Sequence, residues 1–239
     1  MTNEADFFLK LHMKKVVVFT GAGISVESGL PTFRGSDGLW EGHRVEDVAT
    51  PEAWLKDPEL VQAFYNKRRA DCLSARPNHA HLKLAELEKD YDIHIITQNI
   101  DDLHERAGSS KVLHLHGQIT KSQSSINPSL VYDIKGAEIK RGEQCELGSQ
   151  LRPHVVWFGE AVPNMEQAYK LAREAEVFVT IGTSLQVYPA ANLIYETKPN
   201  CKLILIDPNA ENYNVPLVVH KISEKASVGV DYLAELLAK

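Results

Sequence analysis

Cysteine is scarce in this chain of 239 residues; there are three, Cys72, Cys145 and Cys201. Their odd number and wide spacing exclude a disulfide framework and point to a reducing, cytoplasmic setting. An excess of positive charge is also lacking. Lys and Arg number 26 against 32 Asp and Glu, a net charge of −6, so nucleic acid is not an expected partner. No apolar run approaches the length of a membrane span. The opening residues, MTNEADFFLKLH, have no long apolar core of the kind a secretory signal needs. Internal repeats and low-complexity segments are absent. What remains is an ordinary globular composition, 44% hydrophobic. It suits one large domain, or one domain with a smaller insertion, and a monomer is expected.

The stretch around which the chain is arranged is 16–40, VVVFTGAGISVESGLPTFRGSDGLW. Val16 to Phe19 is an all-apolar, β-branched run, the pattern of a strand buried on both faces. Gly21 and Gly23 follow at once. Glycines at a strand-to-helix turn permit a sharp bend and a close approach of the backbone, and the helix start that follows favours an anion. A phosphate-bearing ligand, a dinucleotide, is therefore expected here, the competing reading being a tight strand-to-helix turn with no ligand. The third position of the G-x-G-x-x-G fingerprint is Val26 rather than glycine. Pro31 ends the first helix early, so Thr32, Phe33 and Arg34 are delivered by a loop beside the phosphate site. That suits an enzyme acting on the dinucleotide itself.

Along the rest of the chain, residues 1–13 read as a short helix or a mobile start. Thr50-Pro51 and Asp57-Pro58 are helix starts, giving short helices over 44–75. Asn78 caps a helix running to about Glu88. Ile93–Thr97 is a second buried strand whose end delivers Gln98, Asn99, Ile100 and Asp101 to the carboxyl edge, where open α/β sheets bind ligands. A short helix stops at Gly108. Val112–Gly117 reads as a third strand. Residues 119–150 are polar and turn-rich, an insertion outside the main sheet. Arg152–Glu160 is strand-like; 166–175 is a helix; Val177–Ile181 is a strand ending in Gly182-Thr183-Ser184. Pro189 opens a helix, Lys202–Ile206 and Val218–Ile222 are strands, and 228–238 is a closing helix. The alternation predicts an α/β fold, a doubly wound Rossmann-like parallel sheet with helices on both faces and a smaller inserted domain. The large part covers about 14–35, 76–118 and 151–239, the small part about 36–75 and 119–150.

GAGISVESGLPTFRG (21–35), TQNIDDLH (97–104), HLHG (114–117) and GTSLQVYPAA (182–191), with PHVVWFGE (153–160), together resemble the sirtuin family of NAD-dependent protein deacylases. The resemblance covers nearly the whole chain. It implies that NAD, consumed as co-substrate, and an acyl-lysine of a protein or peptide meet in a cleft between the two parts, releasing nicotinamide and O-acyl-ADP-ribose. By family position His116 is the base that takes a proton from a ribose hydroxyl, a role suited to histidine, while His114 is structural. Asn99 joins His116 in the catalytic set. Asn99 and Asp101, with Ile100, match the nicotinamide pocket, and Gln98 a ribose contact. Phe33 shields the ribose and Arg34 lies near phosphate or ribose. Gly21, Ala22, Gly23, Ser25, Thr32, Trp40, Gly182, Thr183 and Ser184 complete the NAD set. Asp207 and Ala226 are expected on the adenosine side. Val156, Phe158, Gly159 and Val187 match the peptide-holding segments, where strands at 158–160 and 184–187 would flank an extended substrate.

Tyr65 and Arg68 are three residues apart and share a helix face. They resemble the Tyr-x-x-Arg pair of sirtuins that prefer acidic acyl groups, because the arginine fork matches a carboxylate. Ala49 leaves room for a longer acyl chain. Succinyl- and malonyl-lysine are the expected substrates, with acetyl-lysine beside them. The competing reading of Arg68 is a surface arginine between Lys67 and Arg69. The resemblance departs at the zinc cysteines: Ser122-Gln123-Ser124-Ser125 stands where the first C-x-x-C pair belongs, and Cys145 alone remains of the second. No zinc is expected, with Ile126, Leu130, Val131, Tyr132 and Ile139 holding the insertion instead. Alternatives are an NAD-dependent protein ADP-ribosyltransferase, a deacetylase without acidic preference, or a non-catalytic NAD-binding module.

Overall fold

The computed structural model describes residues 13–32 and 40–239. Phe33, Arg34 and the expected opening helix of residues 1–13, save Met13, lie outside the described residues. Nine strands occur among the rest: β1 (Lys15–Thr20), β2 (Asp92–Thr97), β3 (Val112–His114), β4 (Gly117–Ser124), β5 (Val131–Asp133), β6 (Leu151–Val155), β7 (Val177–Ile181), β8 (Lys202–Ile206) and β9 (His220–Ile222). Six of them form one sheet in the order β3-β2-β1-β7-β8-β9, and every pairing in it is parallel. The order reverses at β1, so β1 and β7 lie side by side with their carboxyl ends open. That is the switch point at which such sheets bind ligands.

The β-branched run reads out on both faces of the sheet. Val16 and Val18 join Ile93, Ile95, Val179 and Ile204 on one side. They are covered by the helices His79–Leu87 and Ala226–Leu237. Val17 and Phe19 join Ile96, Phe178 and Leu205 on the other, under Met165–Glu174 and the 3-10 helix Ala190–Tyr195. A strand covered on both sides has no use for alternation, and this one shows none.

Local capping chemistry sets the helix starts. Thr50 accepts from Ala53 N–H ahead of Pro51–Lys56, and Asp57 accepts from Leu60 N–H ahead of Pro58–Ser74. Asn78 accepts from Ala80 N–H and also donates to the Ile24 carbonyl, 2.7 Å away, tying that helix to the first turn. Gly108 (φ 103°) closes Leu103–Ala107 in the left-handed region. The helix Pro58–Ser74 has 17 residues and is longer than the short pieces expected over 44–75.

Three expectations need correcting. The strand expected over Val112–Gly117 ends at His114. Gly117 (φ 85°) turns the chain into β4, and a Cβ there would fall 2.2 Å from the His154 carbonyl oxygen. The insertion carries a three-stranded antiparallel sheet, β5-β4-β6, and most of the apolar residues expected to hold it do not. Ile126 and Val131 are 65% and 37% exposed, Leu130 and Tyr132 are half-buried, and Ile139 alone is buried. Polar groups hold it instead. Arg69, fully buried, donates to the carbonyls of Ile119 and Ala137 and to Asn66 Oδ1, and Asn66 in turn brackets Ile139 N–H and C=O. Finally, 158–160 and 184–187 are turn and irregular backbone, not strands. No described helix is long and apolar enough to cross a membrane.

Candidate active site

The carboxyl ends of β1, β2 and β7 converge. The turn after β1 is built against the turn after β7. Gly21 N–H donates to the Ile181 carbonyl (3.0 Å) and Gly23 N–H to that of Gly182 (2.8 Å). A Cβ on Gly23 would sit 2.6 Å from Gly182 Cα, and one on Gly182 (φ 62°) would sit 2.4 Å from Ile24 N. These glycines are required by the mutual approach of two backbones, not only by a ligand. Ala22 opens the 3-10 helix Ala22–Ser28.

The end of β2 folds two buried polar side chains, Asn99 and Asp101, onto this turn, where they meet buried Ser25. Asn99 Nδ2 donates to the Gly21 carbonyl and to Ser25 Oγ, both at 3.2 Å. The Ser25 hydroxyl donates to Asp101 Oδ2 at 3.1 Å, and Leu103 N–H donates to Asp101 Oδ1 at 3.2 Å. All three side chains are nearly inaccessible. Burial raises the Asp101 carboxyl above its ordinary pKa, against the pull of those two donors. No cation pairs with Asp101 among the described residues. Gln98 Nε2 donates to Thr183 Oγ1 (2.9 Å), which bridges the β2 and β7 ends. Ile100 lends its carbonyl to Ile119 N–H (2.8 Å) and so anchors β4.

His116 stands at the junction between this cluster and a second one. Its Nδ1 faces the Gln98 carbonyl at 3.1 Å. The carbonyl can only accept, so Nδ1 carries the proton and the lone pair lies on Nε2. Burial lowers the ring's pKa, with the Gln98 bond opposing it. His114 is engaged at both nitrogens, Nδ1 with the Asn99 carbonyl (3.0 Å) and Nε2 with Glu105 (2.7 Å). Burial would depress it, but the Glu105 carboxylate reverses the direction and raises its pKa. Of the two histidines, only His116 has a nitrogen without a hydrogen-bond partner among the described residues.

The second cluster is aromatic. Tyr65 is wholly buried; its hydroxyl accepts from Trp157 Nε1 at 3.1 Å, and burial pushes its pKa up. Trp40 packs edge-on to Phe64 and Tyr65, with the Arg68 guanidinium 5.3 Å from its ring. Arg68 is buried, which rules out the surface reading. Its Nη1 donates to Glu41 Oε1 at 2.7 Å. Ala49 is buried beside them, and its carbonyl takes Phe158 N–H at 3.0 Å. Val156 N–H donates to the His116 carbonyl at 2.9 Å, which joins the two clusters. Gly159 takes a left-handed φ of 91° in the turn beyond.

Other expected residues lie further out. Thr32 and Ser184 are exposed, and Val187 is half-buried. At the end of β8, Asp207 Oδ1 is already occupied by Asn209 N–H and the Tyr213 hydroxyl, both at 2.9 Å. Ala226 is buried at the start of the last helix. Sequence reasoning missed Glu41, whose partner Arg68 is distant in the chain, and Trp157, whose indole N–H signals a buried partner only once Tyr65 is placed beside it. It also missed the buried pair His81 and His104, ring centroids 4.8 Å apart behind the site.

A model of the Sir2 family matches residues 21–189. An NAD-dependent protein deacylase of Bacteroides thetaiotaomicron is 48% identical over 230 residues, 94% of this chain and 98% of its own length. One of Helicobacter pylori is 50% identical, over 90% of this chain and 93% of its own. Among solved structures, a Sir2 homologue in complex with NAD superposes with a TM-score of 0.82 at 38% identity, over 100% of this chain and 94% of that one. A Sir2 protein with a deacetylated p53 peptide and 3′-O-acetyl-ADP-ribose superposes with a TM-score of 0.77 at 29% identity, over 99% of this chain and 98% of that one. The turn-on-turn contact of Gly23 and Gly182, the Ser25–Asn99–Asp101 cluster and the one-sided His116 are thus found in a chain that belongs to the Sir2 family.

Proposed function

We propose that this chain is an NAD-dependent protein-lysine deacylase that accepts acidic acyl groups, succinyl and malonyl, beside acetyl. The observation that carries the reading is His116, proton fixed on Nδ1 by the Gln98 carbonyl and Nε2 left as acceptor, set between a buried polar cluster and a buried arginine. NAD supplies an electrophilic ribose carbon and nicotinamide as leaving group. Asn99 and Asp101 fit the carboxamide: Asp101 is a buried carboxyl with hydroxyl and N–H donors but no paired cation among the described residues, and an amide NH₂ would complete its shell. Holding that amide turned orients the leaving group. The glycine turns with Ser25 and Thr183 face the phosphates, and Gln98 the ribose.

His116 Nε2 then takes a proton from a ribose hydroxyl. Because burial keeps the imidazole below its ordinary pKa, of about 6.5, the base is already neutral and competent at neutral pH. The substrate peptide lies extended against 158–160 and 184–187, whose irregular backbone runs outside any ladder. Its acyl chain passes Ala49 toward Tyr65 and Arg68. A buried guanidinium repays an acyl carboxylate and gives nothing to acetyl.

Steady-state kinetics with matched acetyl-, malonyl- and succinyl-lysine peptides plus NAD test this. Wild type should remove succinyl at a rate at least comparable to acetyl, His116→Ala should abolish both, and Arg68→Met should lower the succinyl-to-acetyl ratio of kcat/KM about a hundredfold, the worth of a few kcal/mol. Deacetylation alone would sink the acidic preference. Turnover of neither would sink the deacylase reading.

A further inference from the structure

Arg68 does not wait for a substrate with its charge open. Its Nη1 is held by Glu41 Oε1 at 2.7 Å, with side chains 8% and 17% exposed, and Lys67 adds a looser contact to Glu41 at 3.5 Å. Glu41 sits at an odd place for a glutamate. Trp40 and His43 exchange both backbone hydrogen bonds, at 2.9 and 3.0 Å, across a two-residue turn. Its central residues, Glu41 (φ 51°) and Gly42 (φ 79°), are both left-handed. Such a turn favours Asn, Asp or Gly at the first central position. A glutamate kept there against its backbone preference points to its side chain, and the side chain is spent on Arg68. Beside the pair is a cavity of about 210 Å³ lined by Glu41, His43, Phe64, Lys67 and Arg68, among others. On Arg68 itself, Nε is buried and has no partner among the described residues, so Glu41 is the carboxylate that answers the guanidinium's charge there.

We propose that Glu41 is a specificity-determining residue: an internal carboxylate that holds Arg68 and that an acidic acyl group must displace or share. The inference rests on the reading of the Tyr65–Arg68 pocket above. An acetyl-lysine leaves the Glu41–Arg68 pair untouched. A succinyl- or malonyl-lysine brings a second carboxylate to one guanidinium. Either Glu41 swings out on its turn, or two like charges crowd one cation; both count against the acidic substrate. Glu41 thus narrows the preference Arg68 creates, and it keeps the buried guanidinium paired between turnovers. It does not touch the reacting atoms.

The test compares kcat/KM for succinyl- and acetyl-lysine peptides in wild type, Glu41→Gln and Glu41→Gly, with Arg68→Met alongside. Glutamine removes the charge at constant shape. Glycine removes it and also suits the left-handed backbone, so a variant that merely folds badly is recognisable. A partly screened ion pair weighs on the order of a two- to tenfold factor. Both Glu41 variants should raise the succinyl-to-acetyl ratio by about that factor, through a lower KM for the succinyl peptide. If wild type removes succinyl and Arg68→Met loses it, but the Glu41 variants leave the ratio unchanged or lower, Glu41 is only a structural counter-charge and the proposal is overturned while the pocket stands. If wild type and all variants fail to remove succinyl, the pocket reading falls and this inference falls with it.

Discussion

Replacing Gly23 by alanine probes the contact that aligns the two halves of the site. The new Cβ would meet Gly182 Cα at 2.6 Å, its carbonyl oxygen at 2.7 Å and its carbonyl carbon at 2.9 Å, where ordinary contact starts near 3.4 Å. All three are backbone atoms, so no side chain can swing away. The turns after β1 and β7 must separate by up to 0.8 Å, the shortfall of 2.6 against 3.4. Overpacking of this kind costs about 1–3 kcal/mol. Stretching the 2.8 Å bond from Gly23 N–H to the Gly182 carbonyl adds about 1 kcal/mol. The sum, about 2–4 kcal/mol, corresponds to a drop in Tm of roughly 4–16 °C for a chain of this size. The same displacement moves Ser25 against Thr183, so KM for NAD should rise, by up to about a hundredfold for a shift near 1 Å. Differential scanning calorimetry and NAD titrations at saturating peptide measure both. Gly29→Ala is the control: apart from its chain neighbours, no atom of the described residues lies within 4 Å of its Cβ, and only its φ of 87° is penalised, about 1 kcal/mol. Gly23→Ala with Gly182→Ala should cost less than the sum of the two, because the first substitution already opens the contact. A Gly23→Ala protein with unchanged Tm and KM would refute the claim that these turns touch.

Two further predictions concern stability. Burial holds His81 neutral and lowers its pKa to about 4; the unfolded value is about 6.5. Between those values the unfolded chain binds a proton the folded chain refuses, so stability is full above about pH 6.5 and falls as pH drops toward 4, by about 3 kcal/mol in total. Urea unfolding across that window should give a shallower pH slope for His81→Gln, and identical slopes would count against the assignment. Metal analysis of the purified protein should find no stoichiometric zinc, and a chelator should leave Tm unmoved, since Cys145 Sγ is engaged by the Ser124 and Ser149 hydroxyls at 3.4 and 3.2 Å; about one zinc per chain would overturn this.

The local signals were readable because their physics is local. Thr50, Asp57 and Asn78 cap within three residues, and the β-branched runs announce burial without knowing their neighbours. Asn99 and Asp101 were placed together because both follow the end of β2, but their contact with Ser25, which lies in the 3-10 helix after β1, was not foreseen. Contacts between distant residues were not readable. Nothing in a Trp-Glu-Gly-His stretch says that its carboxylate meets Arg68. Arg69 looks like a solvated neighbour of Lys67, yet it is fully buried and bound by carbonyl groups. The polar stretch 119–150 hid a sheet because its strands face polar partners, so the hydrophobic alternation that betrays strands is missing.

The strand order has a consequence for how the chain comes together during synthesis. Val16 pairs with Ile93 on one side and Val177 on the other. The β1-β2-β3 half is complete once His114 has left the ribosome, but β7 follows only some 60 residues later, roughly 3–12 seconds at ordinary elongation rates. Through that interval Val16–Phe19 is a bare, apolar edge of a half-built sheet, the kind of surface that recruits other chains. Nascent chains arrested between His114 and Val177 should therefore be the aggregating species, and the slow step of maturation should be the docking of the second half-sheet, a contact of long sequence separation.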